Sequence, residues 1–458
     1  MIRVLFINAV DAASEVENRY RPLWPAYLAA YAERRFGSGT FRFHYAEAAV
    51  EKELESFRPH LVAISAVSQN FNFAIDYARI AKQWGAAVLV GGFHLSCIPE
   101  CLTEHMDVGC LGEGEETFGE LLQRHLESGS LHGEGLGGVA GIVYRENGRL
   151  IATPPRPLVS SLDQLPHPDR SLIGYRKHDY MFTSRGCPYR CTFCASSRFW
   201  DTVRYASPEY VIEEIRELID HGVDTISFYD DLFVAHRRRL QQIAALIVSN
   251  GFHRRVSFTC SCRANAVTPD VVESLKAMHV VSVGMGLESG CDRTLRYLKG
   301  SVTVRQNERA IELLKNAGIQ ANASFIIGSP SETREEMLQT YRFIQGSRID
   351  FFDVYTLTPL PGTPVWETAK KRGLVSDRMD WNRLNVNFEV SGDTAVFLSE
   401  TVTREELRAM YRKFRRLRLW RIARALPTSP WLKDLPAMLI RMAREKADRL
   451  ARRLCKAG

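Results

Sequence analysis

Across 458 residues there is no uninterrupted apolar stretch approaching the roughly 20 residues needed to span a bilayer, so the chain is not expected to cross a membrane. The opening MIRVLFINAV has one positive charge, a short apolar run and no small-residue cleavage pattern behind it. It reads as a buried first strand and not as a signal peptide. Ten cysteines in a chain of this length do not suggest a disulfide framework, because a reducing compartment keeps thiols free. These absences point to a cytoplasmic protein. The basic excess belongs to the tail: 17 Lys and Arg against 5 Asp and Glu lie between Thr401 and Gly458, so the remainder is mildly acidic despite a net charge of +7. No nucleic-acid recognition pattern is present and no nucleic-acid partner is expected. The length exceeds one ordinary core, which predicts roughly two to three domains.

Over residues 1–130 strand-like and helical segments alternate. Val4 to Ala9, FRFHYAEA, LVAISAVS at 61–68, AVLVGG at 87–92 and DVGCLG read as strands, with helical spacing at about Pro25 to Arg35, Phe73 to Trp84 and after Glu113. The pattern predicts an α/β, Rossmann-like doubly wound parallel sheet, whose ligands sit beyond the carboxyl ends of its strands. Those ends carry Ser65, Ser68, Gly91, Gly92, Glu113 and Gly114. Adjacent glycines let backbone approach a bulky ligand and serines donate to an amide or phosphate; plain turn glycines are the alternative.

Residues 131–180 are richer in Gly and Pro and read as a connector, with a hairpin in GIVYRENGRLIA turning at Asn147-Gly148. From 181 to 370 the order strand, loop, helix repeats through YMFTSRG, TISFYDD, VSFTCSCRAN, VSVGMGLESG, ANASFIIGSP and FDVYTLTPL. Six such strands predict a partial (β/α)6 barrel with its polar clusters at the strands' carboxyl ends. Residues 371–458 form a helical, basic region. TREELRAMYRKFRRLRLWRIARAL and a second stretch from about Trp431 to Leu454 set apolar residues at helical spacing among arginines. Helices packed on the barrel with one solvated face explain this; peripheral contact with an anionic membrane surface is the alternative.

The stretch TSRGCPYRCTFCAS, residues 183–196, places Cys187, Cys191 and Cys194 as CxxxCxxC with Phe193 before the third cysteine. A structural zinc site usually takes four protein ligands, whereas an iron–sulfur cubane held by three thiolates leaves one iron open to a small molecule. The other cysteines, among them Cys97, Cys101, Cys110, Cys260, Cys262, Cys291 and Cys455, read as small buried hydrophobes. At later strand ends, Asp230 and Asp231 offer carboxylates to an ammonium or a ribose hydroxyl, Arg263 a fork for a carboxylate, and Glu288 with Ser289 partners for a sugar. Asp230 as a helix cap and Glu288 paired with a surface base are the structural alternatives.

With its aromatic residue, the three-cysteine stretch resembles the cluster motif of the radical S-adenosylmethionine (SAM) enzymes. VLVGGFHLSCIPE and GEGEETFGELL resemble the cobalamin-binding domain that precedes many radical SAM barrels, and GLESG, GSPSET at 328–333 and TPLPGTP at 358–364 resemble barrel segments of the same cobalamin-linked group. Two family patterns are missing. After Asn8 the chain reads AVDAASEVENRY, without the histidine of DxHxxG, and FYDD stands where many radical SAM proteins have GGE. His94, in the loop after the double glycine, is expected to be structural.

The resemblance implies a 4Fe–4S cluster on Cys187, Cys191 and Cys194 whose open iron chelates SAM, Gly328 near the adenine, and cobalamin at Ser65 and Gly91–Gly92. It also implies an activity: a 5′-deoxyadenosyl radical abstracts hydrogen from an unactivated carbon of a small-molecule or lipid-like substrate, methylcobalamin supplies the methyl group, and a flavodoxin- or ferredoxin-type donor supplies the electron. Two alternatives are a cobalamin-dependent cyclase or rearrangement enzyme, and a cobalamin or redox sensor with a regulatory cluster.

Overall fold

The computed structural model describes residues 1–10, 21–46, 49–133, 135–385 and 393–425. Strands β1 (Ile2–Ala9), β2 (Phe41–Ala46), β3 (Leu61–Ala66), β4 (Ala87–Gly91) and β5 (Val108–Cys110) run parallel in the order β2-β1-β3-β4-β5. Side chains alternate across a strand, and β1 shows it. Val4 and Phe6 join one core with Ala29 and Ala32 of α1 (Trp24–Phe36) and Phe118 and Leu122 of α5 (Glu115–Ser128). Leu5 and Ile7 join another with Leu54 of α2 (Val50–Phe57) and Ala74 and Ala78 of α3 (Phe71–Gln83). A short α4 (Phe93–Cys97) follows β4. The strand order reverses between β1 and β3, so the ligand crevice of such a sheet opens beside Ser65.

The expected hairpin forms from β6 (Ile142–Glu146) and β7 (Arg149–Ala152), with Asn147 at φ 48° and Gly148 at φ 78°. It is part of the first sheet: β6 pairs antiparallel with β5 and covers an edge whose backbone groups need partners.

Beyond it, β8 (His178–Met181), β11 (Thr225–Phe228), β12 (Ser257–Cys262), β13 (Val280–Glu288), β14 (Gln320–Ile327) and β15 (Phe351–Thr356) form a six-stranded parallel sheet in sequence order, the expected partial barrel. The YMFTSRG segment divides. Its first half is β8, while Ser184–Arg185 (β9) leaves the sheet and pairs antiparallel with Arg204–Tyr205 (β10). The helices after β8 are α6 (Ser196–Phe199), α7 (Pro208–Asp220), α8 (Arg237–Ser249), α9 (Pro269–Ala277), α10 (Asp292–Lys299), α11 (Val304–Asn316), α12 (Arg334–Gly346) and α13 (Pro364–Lys371).

The chain then turns back over the first domain. Val375, Trp381, Leu384, Val396 and Leu398 share one core with Leu5, Ile7, Ala74 and Ile98. Among the described residues the strap carries a turn of 3-10 helix at Trp381–Leu384. The last described helix, α14 (Arg404–Ala425), buries Leu407, Met410, Phe414 and Leu417 at helical spacing against the barrel. The second basic helix expected from about Trp431 lies outside the described residues. Among the described residues no helix is long and apolar enough to cross a membrane.

Candidate active site

Asp230, at the end of β11, determines how the three-cysteine loop leaves the barrel. Its Oδ1 accepts Thr183 N at 2.6 Å and its Oδ2 accepts Thr183 Oγ1 at 2.6 Å and Ser184 Oγ at 2.7 Å. Burial pushes its pKa up, against these hydrogen bonds and the nearby Arg239. Both carboxylate oxygens are therefore engaged inside the protein. Asp231 is exposed and accepts Ser196 Oγ at 2.6 Å, which places it beside the cysteines.

Cys187, Cys191 and Cys194 are all half-buried. Burial first, then the neighbouring thiols and Asp231, push Cys187 up to about 11 and Cys194 up as well, although backbone N–H groups oppose the shift. Three thiols and a carboxylate thus share one electrostatic environment. Among the described residues no three His, Cys, Asp or Glu side chains converge tightly enough for one ion. Bound metal would take the three thiols as thiolates. The loop is secured at Thr192, whose N–H donates to Leu298 O at 3.0 Å and whose carbonyl accepts Val365 N at 3.4 Å.

Arg263, after β12, reaches the same loop. One Nη donates to Cys191 Sγ at 3.0 Å, the other to Lys299 O at 2.9 Å, and the guanidinium lies 4.1 Å from the Tyr189 ring centroid. Glu288, at φ 61°, is buried 3.4 Å from Lys299 Nζ. Burial raises its pKa against the pull of Lys299 and Arg263. Lys299 escaped sequence reasoning, because a lysine ending an amphipathic helix has no local signature. Ser289 is fully buried, bonded to Thr340 Oγ1 at 3.0 Å and Cys291 N at 3.1 Å. Gly328 gives its N–H to Glu332 at 2.8 Å, and a Cβ on it would stand 3.0 Å from Leu407 of α14. Ser289 and Gly328 therefore have packing partners within the protein. Arg263 Nε, Asn265 Oδ1 and Ser329 Oγ are buried at strand ends with no partner among the described residues, which suits a polar ligand there.

In the first domain, Gly92 has φ +97°, and a Cβ on it would stand 2.7 Å from Ala66 O and 2.8 Å from Ser65 Oγ. A Cβ on Gly91 would stand 3.6 Å from the Cys110 Cβ. Ser68 is buried, 3.0 Å from His94 Nδ1. The His94 ring packs between Phe71 and Trp381 at 4.0 and 4.2 Å, and burial holds its pKa down at about 3. Gly114 precedes α5. Glu113 contacts Arg185 and Arg204 of the barrel at 2.5 and 2.8 Å. Burial works against its charge, yet these arginines hold its pKa below the usual carboxylate range. The two ligand edges meet: Phe93 lies 5.8 Å from Phe199 of the cysteine loop, and Phe193 packs into the core shared with the first domain.

Cys97, Cys101 and Cys110 are pushed up to about 11, 12 and 12, mainly by burial. Cys260 and Cys262 lie 3.9 Å apart in β12, with Cys260 held protonated by its Cys262 neighbour and by burial. All five behave as packed thiols.

A doubly wound sheet with a glycine-lined edge, set against a partial barrel with a three-thiol loop, defines an α/β enzyme that joins two cofactor domains. Residues 181–344 match the Radical SAM superfamily and residues 10–122 the B12 binding domain. An uncharacterized methyltransferase of Pyrococcus horikoshii is 34% identical over 348 residues, covering 73% of this chain and 74% of that protein. An anaerobic magnesium-protoporphyrin IX monomethyl ester cyclase of Cereibacter sphaeroides is 24% identical over 408 residues, 83% and 66% of the two chains. The structure of the cobalamin-dependent SAM radical enzyme OxsB with aqua-cobalamin and SAM bound superposes with a TM-score of 0.69 at 17% identity, covering 97% of this chain and 75% of that one. The chain belongs to the radical SAM enzymes that carry a cobalamin-binding domain, and its cofactors are an iron–sulfur cluster, SAM and cobalamin.

Proposed function

We propose that the chain methylates an unactivated carbon of a small or lipid-like molecule, with Cys187, Cys191 and Cys194 as the cluster ligands. The observation that carries this is the meeting of the cysteine loop with the Gly91–Gly92 edge at Phe93 and Phe199. The name of the P. horikoshii relative supports methyl transfer. When bound, cluster, SAM and cobalamin supply the one-electron and methyl-group chemistry that side chains cannot perform.

The protein's own part is to bind and orient. Arg263 steadies the Cys191 sulfur, and its Nε–H, without a partner among the described residues, can meet a polar group of SAM. Of the two aspartates, Asp231 is the one left to face an ammonium, since Asp230 is engaged with Thr183 and Ser184. Gly91 and Gly92, with Ser65 and Ser68, give cobalamin close access to backbone. Arg190, exposed between Tyr189 and Cys191, supports approach of an acidic one-electron donor of flavodoxin or ferredoxin type.

The name of the C. sphaeroides relative supports a second reading, cyclisation without methyl transfer. Turnover with methyl-deuterated SAM and a cell extract separates the two. Labelled small-molecule products are expected; products of altered mass without label would favour the cyclase. Gly92→Ala is expected to destabilise the first domain by about 1–3 kcal/mol and to lower the cobalamin bound per chain, read from the cobalamin absorbance of purified protein. Full cobalamin with an unchanged melting curve would remove Gly92 from the binding edge.

At the end of α14, Leu419 and Trp420 are 55% and 54% exposed among arginines, which supports peripheral contact with an anionic lipid surface. Leu407 lies beside Gly328 at a strand's carboxyl end and Arg421 binds Ile349 O ahead of β15, so such contact would be made from the face opposite the cysteine loop. Flotation with anionic vesicles is expected to fall for Leu419→Glu/Trp420→Glu; equal flotation of both proteins would locate the contact elsewhere.

A further inference from the structure

Arg185 and Arg204 stand directly opposite each other in the two-stranded ribbon β9–β10, which closes the base of the cysteine loop. Like charges facing each other across a strand pair repel, so the ribbon needs a counter-charge. It comes from the other domain. Glu113 Oε1 accepts Arg185 Nη1 at 2.5 Å and Arg204 Nη2 at 3.0 Å, and its Oε2 accepts Arg204 Nη1 at 2.8 Å. Glu115 accepts the second Arg185 Nη at 2.5 Å.

Both carboxylates are buried, and Val159 N at 2.8 Å fixes Glu113 further. Trp200, inside the loop, flanks both guanidinium groups at 5.9 and 5.3 Å. Gly186, between Arg185 and Cys187, has φ +97°, and a Cβ on it would stand 2.7 Å from Thr202 O. The ribbon is therefore tightly closed one residue before the first cysteine, and the charge closing it sits on the loop that ends β5.

We propose that Glu113, supported by Glu115, is a positioning residue through which the cobalamin-binding domain holds the cluster loop of the barrel, and that it does not contact the cofactor. A carboxylate with three N–H donors from two arginines and a fourth from Val159 has no lone pair to spare. The domain contact and the geometry of the metal loop are then one interaction.

The test uses the full-length protein loaded with cluster and cobalamin. Glu113→Gln is expected to keep its cobalamin, to broaden the EPR signal of the dithionite-reduced cluster, and to lose iron to a chelator roughly 10-fold faster than the parent protein. Glu113→Gln/Arg204→Gln removes one of the facing charges together with the Glu113 counter-charge and leaves Arg185 paired with Glu115, so it is expected to hold iron better than Glu113→Gln alone. Should Glu113→Gln not fold, Glu115→Gln, which frees only Arg185, is expected to show the same EPR change at smaller amplitude. Loss of cobalamin with unchanged iron release would make Glu113 a cofactor contact and overturn the proposal. So would a double variant no better than the single one, or a Glu115→Gln signal identical to that of the parent. The proposal rests on the cluster being held by the three cysteines; if that fails, the parent protein itself takes up no iron, a result distinct from every variant outcome and one that overturns both.

Discussion

Cys191→Ala is expected to reduce 5′-deoxyadenosine release from SAM under dithionite to background, a loss on the order of 10⁶-fold if the catalysed step has ordinary enzymatic acceleration. Two effects combine. A cubane held by three thiolates does not keep its open iron on two, and no side chain substitutes for the lost chemistry. Removing the sulfur also deprives the buried Arg263 Nη of its acceptor at 3.0 Å, where an unmade hydrogen bond from a charged donor costs about 1–3 kcal/mol. A modest fall in melting temperature should therefore accompany complete loss of turnover, with cobalamin content unchanged because Gly91 and Gly92 lie in the other domain. Residual 5′-deoxyadenosine above a few per cent of the parent level would remove Cys191 from the ligand set.

Glu214→Ala is expected to have the largest effect on stability. Glu214 of α7 and Arg170 of the connector are both fully buried and 2.5 Å apart, and Arg170 also donates to Tyr180 O of β8 at 2.9 Å. The Tyr180 hydroxyl in turn donates to Arg21 O at 2.8 Å and accepts Leu23 N at 3.1 Å, so the pair anchors the connector where the first domain, the connector and β8 meet. Removing the carboxylate leaves an uncompensated guanidinium in the interior, a loss of about 3–5 kcal/mol in chemical denaturation. The Arg170→Met/Glu214→Met double variant should recover much of it, because two well-packed apolar groups avoid the desolvation penalty of the ion pair. A double variant less stable than Glu214→Ala would show that the charges, not their imbalance, stabilise this junction.

The parallel first sheet, the six barrel strands and the cysteine loop were legible because each rests on local spacing: apolar runs bounded by glycines, and CxxxCxxC. What was not legible required knowing which surfaces meet. Asp230 and Asp231 are adjacent, and neighbouring residues in extended chain face opposite ways. Only the placement of Thr183 and Ser184 tells that Asp230 holds the loop while Asp231 stays open beside the cysteines. Glu113 sits in a glycine-rich loop at a ligand edge and was expected to touch the cofactor, yet its arginines lie 72 and 91 residues away along the chain. Ser289 and Gly328 belong to recognisable segments, but their contacts run to Thr340 and Leu407, so these segments also carry packing of the barrel. Lys299 became visible only when α10 brought it within 3.4 Å of Glu288.

The most direct test of the central claim, that one chain unites radical formation at the cysteine loop with methyl transfer at the cobalamin edge, is the ratio of two products in one anaerobic turnover with SAM, dithionite and cell extract. The expected result is 5′-deoxyadenosine and S-adenosylhomocysteine rising together, both lost in Cys191→Ala. 5′-Deoxyadenosine without S-adenosylhomocysteine would contradict methyl transfer, and the absence of both would contradict an enzymatic role for the cluster.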